Sequence, residues 1–128
     1  MTRPPIELSA AEWEIMHTVW QTESPVTVRR ILDAAYPNRE KAYTTVQTFM
    51  NILVDKGVLT SERIGRQLHY TPTIQRQDAL HGSLQGAARR MFHGSFGAMA
   101  SFLVGSAQLT QDDIAQLRRI LDDREDEQ

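Results

Sequence analysis

In the first 75 residues of this 128-residue chain, a helical spacing of hydrophobic residues is followed by an alternating one. This order constrains the fold more than any other feature of the sequence. Apolar side chains recur three and four residues apart in three successive segments, near residues 10–21, 28–36 and 42–56. This spacing is typical of amphipathic helices. Two short alternating segments, residues 62–64 and 68–72, then flank a turn that contains Gly65, a pattern that predicts a β-hairpin. The sequence therefore predicts three helices followed by one hairpin.

Local signals mark the ends of these elements. Ser9 and Glu12 stand at the spacing of a capping box, and Thr27 is placed to cap the second helix. Gly57 follows the third helix at the position that favours a left-handed backbone. A short strand between the first two helices is expected to pair with the hairpin. This order is that of a winged helix-turn-helix, so we predict a mainly α fold with a small β-hairpin wing over residues 1–75.

Residues 76–128 predict three more amphipathic helices that need a partner. Ser95 and Thr110 are candidate N-caps for the second and third of them, and the charged tail from Asp122 to Gln128 is expected to fray. Their apolar stripes are too extensive to be covered by a domain of about 70 residues. We therefore predict a dimerisation domain and a closed two-fold homodimer, the commonest homo-oligomer. The expected interface residues are Leu80, Leu84, Met91, Phe96, Met99, Phe102, Leu103, Ile114, Leu117 and Leu121.

Composition excludes several classes of protein. The chain has no cysteine, which excludes disulfides, thiolate metal sites and a cysteine nucleophile. No apolar run approaches the roughly 20 residues of a membrane span, and the start MTRPPIELSAAEWE lacks the apolar region of a signal peptide. We therefore expect a cytoplasmic protein without a membrane-inserted segment.

No arrangement of residues predicts catalysis or a cofactor. Glycine-rich phosphate loops are absent, and no acid and base are expected to share a cleft. His81 and His93 would lie about 18 Å apart along a helix, so they could bind one metal only between two chains. We expect no enzyme activity, no cofactor and no metal. A metal hydrolase with histidines from two chains is the enzymatic alternative.

The distribution of charge indicates a basic working face. The formal net charge of −2 by itself argues against nucleic-acid binding. However, residues 24–76 carry eight basic and four acidic side chains, whereas residues 77–128 carry five basic and eight acidic ones. Such asymmetry is typical of a basic binding face with an acidic remainder. Chance variation over two solvated surfaces is the alternative, and charge alone leaves it open.

The outward face of the third helix predicts DNA recognition. In a helix-turn-helix the second of two angled helices enters the major groove, and here that helix has a polar, uncharged outward face. Threonine methyls suit thymine, and Gln and Asn can pair with adenine, while nearby cationic side chains can contact phosphates. The alternatives are ordinary surface ion pairs and a winged-helix protein-interaction module without specific DNA binding. The expected DNA-binding residues are Arg29, Arg30, Lys41, Tyr43, Thr44, Thr45, Gln47, Thr48, Asn51, Arg63 and Arg66.

Four stretches of the chain resemble a known family. These are ELSAAEWEIMHTVW, TVRRILDAA, AYTTVQTFMNILVDKGVL and RIGRQLHYTP, and they are similar to the BlaI/MecI family of bacterial repressors, the penicillinase repressor type. The similarity is dense over about residues 8–72 and continues more loosely through MFHGSF and LTQDDIAQLRRIL. The resemblance implies a homodimer whose winged helices bind a two-fold operator of double-stranded DNA and whose C-terminal helices interlock.

The resemblance also implies a regulatory protease linked to a membrane sensor as a partner. In the β-lactam systems of this family, the repressor is cleaved at an Asn-Phe bond in its dimerisation region. The corresponding region here holds Ser101 and Phe102 without an asparagine. The resemblance therefore marks this pair as the proteolysis region but does not supply the family's cleavage bond. The copper-responsive branch carries a C-terminal cysteine cluster, which is absent here, so copper sensing of that kind is not expected.

Overall fold

A computed structural model describes residues 6–106 and 108–127. Its elements, in chain order, are α1 (Ala10–Gln21), α2 (Val28–Ala35), α3 (Tyr43–Asp55), β1 (Leu59–Ile64), β2 (Gln67–Pro72), α4 (Arg76–Phe92), α5 (Phe96–Ser106) and α6 (Gln111–Asp126). This order confirms the predicted mainly helical fold with a two-stranded wing. The chain divides within α4 into two compact units, residues up to Gly86 and residues from Ala87. The predicted domain boundary after residue 75 stays a prediction.

The first two helices begin where their caps predict, and the third ends where its glycine predicts. Ser9 accepts a hydrogen bond from the Glu12 N–H while the Glu12 carboxylate accepts one from the Ser9 N–H, so the capping box of α1 is complete. Thr27 caps α2 through the N–H of Arg30. At the end of α3, Gly57 has φ +81°. This left-handed residue lets the Gly57 and Val58 N–H groups bond back into the last turn of α3.

These helices pack on one another through their apolar faces. The core of the first unit is a continuous cluster of fully or nearly fully buried side chains. Burying this many aliphatic groups is the main force that holds a helical domain of this size together. Its largest fully buried members are Tyr70, Ile15, Met16, Ile31, Met50, Leu53 and Leu59.

The wing is an antiparallel hairpin that is longer than its alternation predicts. Leu59 pairs with Pro72 and Ile64 pairs with Gln67, so β1 begins three residues before the predicted start at Glu62. The strand begins earlier because Leu59 is buried in the helical core and extends the pairing towards it. The turn is two residues long, and Gly65 adopts φ +66° there.

The expected short strand between α1 and α2 is present as a single bridge. Val26 and Tyr70 pair in antiparallel fashion, with the Val26 N–H bonding the Tyr70 carbonyl at 2.9 Å and the Tyr70 N–H bonding the Val26 carbonyl at 2.7 Å. The bridge ties the wing to the start of α2. A second hydrogen bond joins α1 to the segment after β2, because the indole N–H of Trp20 donates to the Ile74 carbonyl at 3.0 Å.

One ion pair joins the end of α3 to the first turn of α1. The Lys56 ammonium lies 2.6 Å from a carboxylate oxygen of Glu12, whose side chain is almost completely buried. Burial acts to raise the pKa of the Glu12 carboxyl. The hydrogen bonds from Lys56 and Ser9 outweigh burial, and they hold the pKa of Glu12 below its usual value. The pair is therefore a structural contact and not part of a binding surface.

Lys56→Met should lower the free energy of unfolding by about 2 kcal/mol at pH 7, because it leaves the Glu12 carboxylate buried without its cation. The effect is smaller than for a fully buried ion pair, since the Lys56 side chain is partly exposed to solvent. Because the folded-state pKa of Glu12 is lowered, the stability from the pair is complete above its usual value of 4.5. That stability is lost as the pH falls through the lowered pKa. Urea unfolding should therefore show a difference from wild type that shrinks at acidic pH.

The matched control for Lys56→Met is Asp33→Asn. It removes the solvent-exposed pair between Arg29 and Asp33, whose charged atoms lie 4.0 Å apart, and should change stability by about 0.5 kcal/mol or less. Equal effects of the two substitutions, or a Lys56→Met effect that is undiminished in acid, would contradict this role for Glu12.

The second unit consists of the end of α4 with α5 and α6, and it has little core of its own. Thr110 is the predicted N-cap of α6, and together with Asp113 it forms a capping box with Asp in the place of the usual Glu. The predicted fraying from Asp122 is wrong for the described residues, since α6 continues to Asp126; Gln128 lies outside them. The segment lacks Gly and Pro, so nothing in it stops a well-capped helix from propagating.

Candidate nucleic-acid interface

The helix α3 has one buried face and one polar, solvent-facing side. Val46, Met50 and Leu53 are completely buried, which fixes the rotation of the helix about its axis. The side chains predicted to read DNA lie on the other faces, and Gln47 is half-buried beside the wing. The exposed ones are Tyr43, Thr44, Thr45, Thr48 and Asn51.

The hydroxyl of Thr48 is turned back to its own helix. It donates to the Thr44 carbonyl at 2.9 Å, so Thr48 offers its methyl group and its hydroxyl lone pairs to a partner but no free O–H. Such a side chain matches the thymine methyl or a base amino group better than a base carbonyl.

A small cavity of about 120 Å³ lies between α2, α3 and the wing. Arg29, Arg63 and Arg66 line it together with Tyr43 and Gln47, so the structure brings together side chains that are up to 37 positions apart in the sequence. The Arg29 guanidinium lies 5.1 Å from the centre of the Tyr43 ring, a cation–π geometry. Three guanidinium groups around one depression favour an anion such as a backbone phosphate.

Lys41 lies just before the start of α3 and does not line that cavity. Its ammonium lies 5.6 Å from the centre of the Tyr36 ring, and the Tyr36 hydroxyl donates to Glu14 at 2.9 Å. Burial, together with this bond to Glu14 and the charge of Glu40, raises the pKa of Tyr36 to about 12. Tyr36 therefore stays neutral and forms a fixed platform for the cation. Arg30 is exposed on α2 and does not line this cavity.

Tyr70 is the residue that sequence reasoning missed. It is completely buried in β2, and its hydroxyl donates to the side-chain oxygen of Asn51 at 2.9 Å. Burial raises the pKa of Tyr70, with a further contribution from Tyr43, so the phenol stays a donor. The alternation of β2 predicts that Tyr70 points inward, but nothing local indicates that it reaches a side chain 19 positions away.

Most of the residues expected at a dimer interface are solvent-exposed in the single chain. Neither α5 nor α6 has a buried residue among those described, and Met91, Phe102 and Leu121 are each about 60% exposed. The others are spread over the three C-terminal helices. Leu84, Phe96, Leu103 and Leu117 are exposed, and Leu80, Met99 and Ile114 are half-buried.

The pair expected in a proteolysis region lies within α5. Ser101 is exposed, and the ring of Phe102 packs against Phe92 with 5.9 Å between centroids. Within residues 6–106 and 108–127, His, Asp and Glu form no group of three that could hold a metal ion. No helix in the same ranges is both long and apolar enough to cross a membrane.

Known proteins resemble the chain over nearly its whole length. The family model for the penicillinase repressor matches residues 8–123. The methicillin resistance regulatory protein MecI of Mammaliicoccus sciuri is 24% identical over 90% of this chain and 93% of its own length. The penicillinase repressor of Bacillus licheniformis is 26% identical over 91% of both chains. A protein of Latilactobacillus sakei, known only as a 16.5 kDa protein in the ptsI 3′ region, is 31% identical over 90% of this chain and 78% of its own.

A solved structure matches part of the chain. The solution structure of the DNA-binding domain of the repressor BlaI superposes with a TM-score of 0.51 at 29% identity, covering 61% of this chain and 93% of that one. Together with the family match, this likeness confirms the winged-helix fold and the DNA-binding repressor class of the chain, while the choice of α3 residues that contact DNA stays a prediction. The chain belongs to the penicillinase repressor family, the BlaI/MecI family of DNA-binding transcriptional repressors, whose members are regulators and not enzymes.

Proposed function

We propose that the protein is a homodimeric repressor that places α3 of each subunit in the major groove of a two-fold operator. In this proposal residues 1–75 bind DNA and residues 76–128 hold the dimer together. The observation that carries it is the α3 surface: a polar, uncharged face outside the apolar core, fixed in orientation by a fully buried opposite face and bordered by arginines. A helix that only faced water would not need cationic side chains, which can bind phosphates, clustered beside its uncharged face.

Base recognition is assigned to the exposed middle of α3. Thr45 and Thr48 present methyl groups, and Gln47 presents an amide at the edge of the arginine-lined cavity. Methyl contacts with thymine and amide contacts with adenine are the pairings that these side chains make in the major groove. Tyr43, Thr44 and Asn51 lie on the same exposed side. Because α3 has neither Arg nor Lys, bidentate recognition of guanine by Arg has no place on this helix.

Affinity is assigned to phosphate contacts around α3. Arg29, Arg63 and Arg66 approach one depression from α2 and the wing, and Arg30 on α2 and Lys41 just before α3 are the further candidates. Each neutralised phosphate releases counterions, so binding should weaken steeply as salt rises. These contacts set the position of the protein on DNA but carry no sequence information themselves.

Pairing of two copies through the C-terminal helices supplies the second half of the binding energy. The apolar side chains of α5 and α6 are exposed in the single chain, and a patch of this kind marks an association surface. Two linked recognition helices bind two half-sites with a high effective concentration. A regulatory protease linked to a membrane sensor would act on this region. Since Ser101 lies in the middle of α5, α5 must unwind locally before the bond at Ser101 and Phe102 fits a protease.

Arg66→Ala tests the phosphate assignment. The variant should bind all duplexes about fivefold more weakly, and the slope of log affinity against log salt should fall by about 1. Thr48→Ala should instead lose affinity only for a duplex that wild type selects from a randomised pool. Arg89→Ala is the control, because Arg89 is an exposed arginine of α4 that lies outside α2, α3 and the wing.

The same binding measurements also separate this proposal from a protein-interaction module. A module that does not bind DNA specifically would select no sequence from the randomised pool. Wild type, Arg66→Ala and Arg89→Ala would then bind every duplex alike, and the assignment of α3 would be wrong.

A further inference from the structure

The side chain of Asn51 is held by a residue from outside its helix. Asn51 is exposed on α3, yet its side-chain oxygen accepts the hydroxyl hydrogen of Tyr70 at 2.9 Å. The phenol itself is completely buried, so one end of the amide is drawn toward the protein.

Tyr70 is itself immobilised by its neighbours. Its backbone N–H and carbonyl both bond Val26, the bridge residue just before α2, and its ring belongs to the core cluster that α1, α2 and α3 share. The position of the hydroxyl is therefore set by three elements at once. A group fixed in this way can orient a flexible amide at little entropic cost.

The bond decides which half of the amide is available to a partner. A free asparagine can turn either its oxygen or its NH₂ outward, because the two ends have similar shapes. With the oxygen accepting from a phenol that stays protonated, the NH₂ group with its two N–H donors is the end left for another molecule. In the major groove, acceptors for such donors are N7 and O6 of guanine, N7 of adenine and O4 of thymine.

We propose that Tyr70 is a positioning residue for DNA recognition, which fixes the Asn51 amide so that its N–H group donates to an acceptor on a base edge. The inference rests on the proposed function of α3 as the recognition helix. It narrows the sequence-based expectation that Asn51 pairs with adenine, because the amide oxygen is already bonded to Tyr70.

The experiment is a double-mutant cycle on the full chain, with a duplex that wild type selects from a randomised pool and a scrambled duplex of equal length as probes. Tyr70→Phe removes only the hydroxyl and should lower affinity for the selected duplex about three- to tenfold, with affinity for the scrambled duplex unchanged. Asn51→Ala should lose at least as much. Adding Tyr70→Phe to Asn51→Ala should then cost nothing further, because the phenol acts only through the amide.

Three outcomes would overturn the inference. These are an unchanged affinity of Tyr70→Phe for the selected duplex, equal losses on both duplexes, and additive losses in the double variant; the last two are what a purely structural role of the hydroxyl would produce. If wild type selects no sequence at all, the proposed function fails and the inference fails with it. Failure of the inference alone leaves the selection by wild type intact.

Asn51→Asp keeps the experiment decisive if Tyr70→Phe does not fold. The aspartate retains an oxygen for the phenol but has no N–H donor. The ratio of selected to scrambled affinity, in which the general effect of the added charge cancels, should fall at least as far as in Asn51→Ala. An unchanged ratio would show that the N–H donors do not read a base.

Discussion

Leu121→Glu should convert the proposed dimer to monomers and lower affinity for a two-fold DNA site by about 100-fold or more. Leu121 is 61% exposed on α6, although its side chain is fully apolar. In the proposed dimer it lies against the partner subunit, so a carboxylate there would be buried without a cation. Each monomer would keep its own recognition helix but would lose the effective concentration that joins two half-sites.

Sedimentation and DNA titration measure this prediction together. Gln116→Glu is the matched control, since it adds the same carboxylate at an exposed polar position of α6 and should leave both dimer and affinity unchanged. Leu121 is a better probe than Phe102, because Phe102 also packs on Phe92 within its own chain. A Leu121→Glu protein that still sediments as a dimer would contradict the assignment of α6 to the interface.

Gln47→Ala should reduce discrimination at one base pair of each half-site by about 1–3 kcal/mol, roughly five- to 150-fold in affinity ratio. Gln47 carries an amide side chain, and its position on α3 is fixed because the neighbouring Val46 is completely buried and anchors that turn. Its side chain lies at the rim of the arginine-lined cavity. The Gln47 amide lies between the arginines that would bind phosphates and the exposed helix face, so it is positioned to reach a base once those phosphates are bound.

Competition between the selected duplex and its single-base variants measures that discrimination. Wild type should reject substitutions at one position of each half-site, and Gln47→Ala should accept them while binding scrambled DNA as before. Gln116→Ala removes a glutamine from α6 and should retain the wild-type pattern. If Gln47→Ala discriminates as well as wild type at every position, another residue of α3 reads the bases.

Much of the first unit could be predicted because its signals are local. Ser9, Glu12 and Thr27 cap their helices through contacts three residues away, and the spacing of Val46, Met50 and Leu53 is enough to define the buried face of α3. Such contacts depend on helix geometry alone. Once the buried face of α3 was defined, the opposite polar face could be predicted, together with the exposed residues expected to contact DNA.

The contacts that could not be predicted join distant parts of the chain. Lys56 was assigned no partner by the sequence, yet it meets Glu12 across 44 positions, and Tyr70 meets Asn51 only because folding brings β2 beside α3. Periodicity defines which way a side chain points but not which element faces it. The early start of β1 at Leu59 has the same origin, because burial in the core extends the strand.

Hydroxyl-radical footprinting of the full chain on the duplex it selects, with the stoichiometry measured by sedimentation, tests the central claim most directly. The account predicts two chains per duplex and two protected half-sites whose centres lie about 10 base pairs apart or a multiple of that distance. Both features should disappear together in Leu121→Glu. Saturation by one chain, or a single protected half-site in wild type, would contradict a dimer that presents two α3 helices to DNA.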